Sequence, residues 1–403
     1  MTNFLTLDDF EPNDKQVLVR VDFNVPMQDG KVTDTTRIER SALTLSELKK
    51  RQAKIILLSH FGRPNGHIVP DLSLKPILPI LQKIYGSSSV FFAKDCIGAD
   101  VVEQISKLTN GQILLLENIR FYKEEEINDL SFAKNLANLA HIYINDAFSC
   151  AHRAHASTEG ITHFLPAYAG RLMQTELEHL HQILDNPKRP LIAIIGGAKI
   201  STKLDLIANL MNKVDFLVIG GAMANTFLYA QGHNIGTSLY EKEMITTAKT
   251  ILAQSQKSQC KIILPSDVVV ANNLKDGHNA SIISINSIPN DKMILDIGPQ
   301  TVQDIIKLLS QTKSLVWNGP CGAFEYPPFE KGTEYLSQEV SQLTQAKKII
   351  SVAGGGDTVA ALSMFNLNEK FTYVSTAGGA FLEWLEGKKL PGIEALCQQK
   401  FHT

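Results

Sequence analysis

Four short apolar runs in the first half of this 403-residue chain end in loops whose residue types could handle an anion. Residues 17–21 lead into Asp22, Phe23 and Asn24, and residues 55–58 into Ser59, His60, Phe61, Gly62 and Arg63. Residues 113–116 lead into Glu117, Asn118, Ile119 and Arg120, and residues 142–145 precede His152, Arg153 and His155. Asp22 and Asn24 can bond hydroxyl groups. Arg37, Arg63, Arg120 and Arg153 can each place a planar fork of donors on carboxylate or phosphate oxygens, and His60, with His152 or His155, can add charge or hydrogen bonds. One such arginine alone would read as a structural ion pair. Four loops of the same chemistry point to a small, hydroxylated substrate with several negative charges.

The loops of the second half offer backbone instead. Residues 191–195 run into Gly196, Gly197, Ala198, Lys199, Ile200, Ser201, Thr202 and Lys203. Later come Gly220 and Gly221, then Asn318, Gly319 and Pro320, then Gly354, Gly355, Gly356, Asp357 and Thr358, and finally Ala377, Gly378 and Gly379. Glycines ahead of a helix let amide groups and the positive helix end approach phosphate oxygens. A nucleotide polyphosphate is the expected ligand. Asp357 suits Mg²⁺, and Thr358 is expected to cap its helix. The chain contains no Gly-x-x-x-x-Gly-Lys-Ser/Thr and no Gly-x-Gly-x-x-Gly after a strand, so neither a P-loop nor a dinucleotide fingerprint is expected.

The elements that must hold these loops alternate. Apolar runs at residues 17–21, 55–58, 113–116, 142–145, 191–195, 216–219, 261–264, 315–317 and 349–352 are separated by helical-period segments. Strands alternating with helices predict α/β domains with doubly wound, Rossmann-like parallel sheets, whose ligands lie beyond the carboxyl ends of the strands. Met173, Leu177, Leu180 and Leu184 recur at helical spacing before a stop at Pro187 and Pro190. A long hinge helix over 171–186 is therefore expected to join a substrate domain, 1–170, to a nucleotide domain, 187–388. The charge run Lys123, Glu124, Glu125 and Glu126 is expected to be a solvated loop.

At this length one core is not enough. A net charge of -2 with 44% hydrophobic and 20% charged residues describes a globular chain without the disorder signature. Acidic residues slightly outnumber basic ones in the first 168 residues, so the loop arginines do not follow from a basic domain, and nucleic acid is not favoured. Five scattered cysteines, with no Cys-x-x-Cys, argue against a disulfide framework or a zinc site and for a reducing cytoplasm. No signal-like N-terminus or membrane-length apolar run is visible, so export and membrane insertion are not expected.

Eight of these segments in order resemble the phosphoglycerate kinase family: residues 19–26, 59–64, 116–121, 145–158, 196–203, 317–324, 354–358 and 390–392. The resemblance covers essentially the whole chain. It implies a monomeric, Mg²⁺-dependent enzyme of glycolysis that moves phosphate between 1,3-bisphosphoglycerate and ADP, giving 3-phosphoglycerate and ATP. It implies that Asp22, Asn24, Arg37, His60, Arg63, Arg120 and Arg153, with Phe23, Phe61 and Gly62 from the same loops, hold 3-phosphoglycerate. It further implies that Lys203, Glu325 and residues 354–357 bind the nucleotide, with Glu325 on the ribose and Asp357 on Mg²⁺. Asn318, Gly319 and Thr358 join that set, and residues 389–403 return to the first domain.

Phosphoryl transfer needs positioned positive groups more than covalent chemistry, and Arg37, Lys199 and Lys203 are expected to meet the developing charge. No general base is needed, because the accepting carboxylate is already ionised. Substrate and nucleotide loops on different domains imply closure about the hinge, which also keeps water from the acyl phosphate. The chain departs from the family pattern at Phe61 for a usual Leu, Ser149-Cys150 for Gly-Thr, Cys321 for Met and Ala377 for the first of three glycines. Tuning rather than loss of activity is expected, with Cys321 as a packing residue. A binding-only descendant, or a kinase for another carboxylate, are the alternatives; the retained Arg37, Lys199, Lys203 and Asp357 speak against the first and the full set of substrate loops against the second.

Overall fold

The computed structural model of the chain describes residues 4–399, which fall into two compact units, 4–177 with 389–399, and 178–388; residues 400–403 of the expected C-terminal return lie outside the described residues. In the first unit a six-stranded, all-parallel sheet runs in the order Val90–Phe92, Ile113–Leu115, Lys54–Leu58, Gln16–Arg20, Ile142–Asn145, Ala167–Ala169. Its central strands are nearly continuous runs of Ile, Leu and Val because helices cover both faces of a parallel sheet. Val17, Val19, Ile55, Leu57, Ile113 and Ile144 belong to one buried cluster on this sheet. The chain reverses its strand order about Gln16–Arg20, and the crevice that opens there lies beside Asp22. The helix Pro391–Cys397 belongs to this unit, and the Gly392 N–H donates to the Ala151 carbonyl at 2.9 Å.

The helix expected over 171–186 forms over Arg171–Leu184, with Met173, Leu177, Leu180 and Leu184 buried, and the division between the two units falls inside it. Its first turn is satisfied by side chains. Asp146 Oδ1 accepts from the Leu172 and Met173 amides at 2.9 and 3.2 Å, and Thr44 Oγ1 accepts from the Arg171 amide at 2.7 Å. Such caps are each worth about 1 kcal/mol. Burial pushes the Asp146 carboxyl up to about 7.

The second unit has its own six-stranded parallel sheet, ordered Lys261–Ile263, Phe216–Ile219, Leu191–Ile195, Ser314–Asn318, Ile350–Gly354, Tyr373–Ser375. Here the order reverses between Leu191–Ile195 and Ser314–Asn318. The loops after these two strands touch so closely that a Cβ at Gly196 would collide with the Pro320 carbonyl, and one at Gly319 with Gly196. Periodicity did not reveal the short outer strands Val90–Phe92, Ala167–Ala169 and Tyr373–Ser375. It also did not reveal a three-stranded antiparallel sheet of Ser281–Ser284, Asp267–Ala271 and Met293–Ile297. These runs are three to five residues long, too short to show a period.

Candidate active site

The first unit gathers the predicted substrate residues at the carboxyl end of its sheet. Asp22 accepts from Arg37 Nη1 at 2.5 Å, from the Asn24 amide at 3.1 Å and from the Ser149 hydroxyl. Arg37 also donates to the Asn24 carbonyl at 3.1 Å, and Asn24 Oδ1 accepts from the Gly62 amide at 3.0 Å. The loops after two adjacent strands are thus tied together before any ligand arrives. Gly62 has a φ of +60°, which a side chain would strain, and a Cβ there would lie 2.7 Å from Leu72. Arg120 is buried and donates to the Gly62 carbonyl at 2.9 Å, with Glu126 at 3.5 Å from its Nε. Arg63 and Arg153 are exposed, and among the described residues neither has a carboxylate partner; the Arg153 side chain donates from Nε to His152 Nε2 at 3.2 Å.

Two expected substrate contacts prove to be core residues. Phe23 and Phe61 are buried in the cluster beneath the sheet. Their amides are also engaged, Phe23 N–H with Ser59 Oγ at 2.9 Å and Phe61 N–H with Asn118 Oδ1 at 3.1 Å. Beside Phe23, Asp22 and Asn24 are more open, whereas His60, next to Phe61, is itself buried. Phe61 therefore stands for the usual Leu as one apolar filler for another.

The run at 123–126 is also corrected: it forms a short helix, and Glu125 is fully buried rather than solvated. It accepts from the Ser157 amide and hydroxyl at 2.9 and 2.6 Å, with His155 Nδ1 at 3.8 Å. Ser157 Oγ in turn accepts from Arg20 Nε at 2.9 Å. Arg20 is itself fully enclosed, inside the strand Gln16–Arg20, and reaches His60 Nδ1 at 3.1 Å and Cys150 Sγ at 3.5 Å. Sequence reasoning missed this network, because Arg20 reads as a strand residue and Glu125 as part of a surface run. Removing one member would leave an unpaired buried polar group, at a cost of about 3–5 kcal/mol for a charge. Burial, with Arg20, Arg120, Arg37 and His155 nearby, holds His60 well below the usual imidazole range, and burial beside Arg120 and Arg20 brings His155 down to about 3. Both rings are neutral at physiological pH. Asp22, His60 and Cys150 form the only cluster of three possible metal ligands among the described residues, and the Arg20 guanidinium already supplies its positive charge.

The second unit presents a mostly apolar cleft of about 360 Å³. Gly197, Gly221, Pro320, Phe324, Glu325 and Asp357 are among the residues of its wall, and the antiparallel sheet contributes Val268 and Met293 through Ile297. Gly354 and Gly355 shape the neighbouring turn. A Cβ at Gly354 would sit 2.6 Å from the Phe381 ring, and Gly355 has a φ of +97°. Gly356 begins the helix Gly356–Met364, and a Cβ there would meet nothing within 4 Å. Asp357, in the first turn, is exposed.

Thr358 does not cap this helix, whose N-cap is Gly355. Its hydroxyl accepts instead from the Gly319 amide at 2.6 Å, locking the loop after one strand to the helix after the next. Asn318 is likewise spent inside the protein: its amide donates to the Gly354 carbonyl at 2.8 Å and its oxygen accepts from Lys203 Nζ. It positions Lys203 rather than offering a free side chain. Burial pulls Lys203 down to about 8 against the opposing pull of Asp357 and Glu386. Lys199 is exposed, with no carboxylate within ion-pair reach among the described residues. Ala377 has no positive φ, so its Cβ is unstrained, and its N–H donates to Ser375 Oγ at 3.2 Å. Cys321 is buried in the core, and burial raises its thiol well above the usual range.

One doubly wound unit presenting arginines and another presenting a glycine-shaped cleft with a lysine and an exposed carboxylate define a nucleotide-dependent phosphotransferase. The family model described as phosphoglycerate kinase matches residues 7–388. Phosphoglycerate kinase of Rhizobium meliloti (strain 1021) is 55% identical over 397 residues, 98% of this chain and 99% of the relative, and that of Agrobacterium fabrum is 54% identical over 403 residues, 99% of this chain and 100% of the relative. Among solved structures, phosphoglycerate kinase from Coxiella burnetii superposes with a TM-score of 0.92 at 41% identity, covering 99% of this chain and 100% of that one. The enzyme from Pyrococcus horikoshii OT3 gives 0.80 at 28% identity, covering 97% and 98%. The chain belongs to the phosphoglycerate kinase family. It is a transferase of glycolysis that moves a phosphoryl group between 1,3-bisphosphoglycerate and ADP, yielding 3-phosphoglycerate and ATP.

Proposed function

We propose that the two sets of loops divide this reaction between them. Asp22, Asn24, Arg37, His60, Arg63, Arg120 and Arg153 hold 3-phosphoglycerate, and Lys203, Glu325 and residues 354–357 hold the nucleotide. The observation that carries this reading is that, among the described residues, Arg63 and Arg153 stand exposed without a carboxylate partner while the other strand-end polar groups are already bonded to one another. Cations left without an internal anion suit an external one. Asp22 then bonds the substrate hydroxyl, since its second oxygen network is fixed by Arg37 and Ser149.

Asp357 fits Mg²⁺: it is an exposed hard oxygen donor in the first turn of a helix, and Mg²⁺ takes one or two carboxylates and fills the rest of its shell with phosphate oxygens and water. When bound, the ion neutralises charge on the nucleotide phosphates. Arg37, Lys199 and Lys203 meet the charge that spreads over the transferred group in line between carboxylate and ADP, and preorganised donors of this kind are each worth about 3–4 kcal/mol. The enzyme works as a monomer in a reducing cytoplasm, a setting consistent with its free cysteines. No helix among the described residues is long and apolar enough to cross a membrane.

The direct test couples 3-phosphoglycerate and MgATP to glyceraldehyde-3-phosphate dehydrogenase and NADH. Oxidation of NADH that depends on all three partners is the expected result, and a rate equal to the protein-free control would remove the reading.

A further inference from the structure

We propose that Arg20 is a positioning residue that holds His60 in its neutral Nε2–H tautomer, so that the ring offers substrate a hydrogen-bond donor rather than a positive charge. This rests on the placement of His60 in the substrate pocket, and it explains a part of the molecule the reaction otherwise leaves unused: a fully enclosed guanidinium at the end of a central strand.

A guanidinium has donors and no acceptor. Arg20 Nη2 lies 3.1 Å from His60 Nδ1, so that nitrogen must present a lone pair; a proton there would put two donors face to face. The competing partners of Nδ1 are more distant, Cys150 Sγ at 3.9 Å and Asp22 Oδ1 at 4.0 Å. Arg20 cannot swing away from the ring. Its Nε is held by Ser157 Oγ at 2.9 Å, and its Nη1 by the Val21 carbonyl. Ser157 is fixed in turn by Glu125 and by the Tyr143 hydroxyl, which donates to the Ser157 carbonyl at 2.7 Å. With Nδ1 an acceptor, the ring proton belongs on Nε2. That atom has no hydrogen-bond partner among the described residues, and it is not one of the enclosed unpartnered atoms either.

The groups around the ring oppose a second proton. Burial disfavours the imidazolium, and Arg20, Arg120 and Arg37 add to it, while Asp22, Cys150 and Glu125 are the groups of opposite or potential negative charge nearby. The site thus already contains enough fixed cations for an anionic substrate. The ε-tautomer adds a neutral, directional donor for a hydroxyl or carboxylate oxygen.

The test begins with protein carrying [¹⁵N]histidine, observed by long-range ¹H–¹⁵N correlation, with the His60 signals identified by their loss in His60→Gln. The wild-type ring should show the Nε2–H pattern and keep it from pH 5.5 to 8. In Arg20→Met the ring should gain Nδ1 protonation and titrate; if that variant does not fold, the wild-type spectrum decides alone. A wild-type ring with its proton on Nδ1, or one that titrates in this range, overturns the inference whatever the kinetics show.

Kinetics supply the second arm, because a glutamine amide nitrogen reaches roughly the position of Nε2 and an asparagine amide nitrogen only that of Nδ1. His60→Gln should keep KM for 3-phosphoglycerate within about threefold, whereas His60→Asn should raise it about tenfold or more, the range for a lost bond to a charged acceptor. KM for MgATP should not move in either variant. Equal effects of the two substitutions on 3-phosphoglycerate overturn donation from Nε2. An Nε2–H ring with KM for 3-phosphoglycerate unmoved in both overturns instead the placement of His60 on the substrate.

Discussion

Arg37 and Lys203 show how little a residue's type reveals of its working state. Arg37 is partly exposed, yet its fork is already aimed by Asp22 and the Asn24 carbonyl. Because those bonds fix direction, Arg37→Ala should lower kcat about 100- to 1,000-fold while nucleotide affinity changes little, the signature of a donor used in the transition state. Equal losses in kcat and in nucleotide affinity, measured by steady-state kinetics and calorimetry, would make Arg37 a structural residue. Lys203 is held by Asn318, and its ammonium is pulled down to about 8 by burial. The charged form binds phosphate and is lost as pH rises through that value, so nucleotide affinity should weaken about tenfold between pH 7 and pH 9. Lys203→Arg, which stays charged, should flatten that slope in the same titration. Both residues were visible in the sequence as cations in loops. Their partners were not, since Asn318 lies over a hundred positions from Lys203 in the chain and only the fold brings them together.

At the scale of the element, the glycines of the second unit divide into two kinds that sequence cannot separate. Gly196 has no room for a Cβ because the Pro320 carbonyl lies against it, whereas Gly356 faces open space at a helix start without a positive φ. Gly196→Ala should therefore lower the melting temperature by several degrees, as overpacking costs about 1–3 kcal/mol. Gly356→Ala should leave the melting temperature nearly unchanged and still raise KM for MgATP, because the added methyl occupies the approach to the helix amides. A Gly356→Ala enzyme with normal KM would mean that phosphate does not approach there. The strands follow the same division. Central ones declared themselves as dense Ile, Leu and Val runs, while the strands of the antiparallel sheet are short, and one of them, Ser281–Ser284, is mixed. They pair with strands close by in the chain, but runs this short show no period that local composition could reveal.

For the whole molecule, the proposed division of the site puts the reacting groups on two compact units joined through the helix Arg171–Leu184. In-line transfer requires donor and acceptor oxygens to approach within a few ångströms, so both ligands together should draw the units toward each other. Small-angle scattering should show a smaller radius of gyration with 3-phosphoglycerate and a nonhydrolysable MgATP analogue than with either alone; an unchanged radius would count against closure. By itself the sequence determined the fold class, the main strands and which residue types stand at the strand ends, because burial on both faces of a parallel sheet demands apolar runs. Only the tertiary structure decided which residues are free to act. It turned Phe23 and Phe61 into core, spent Asn318 and Thr358 on holding loops, buried Glu125, and set Arg20 against His60. Whether a polar side chain has its hydrogen bonds satisfied depends on residues far away in the chain, and that is settled only when the strands are paired.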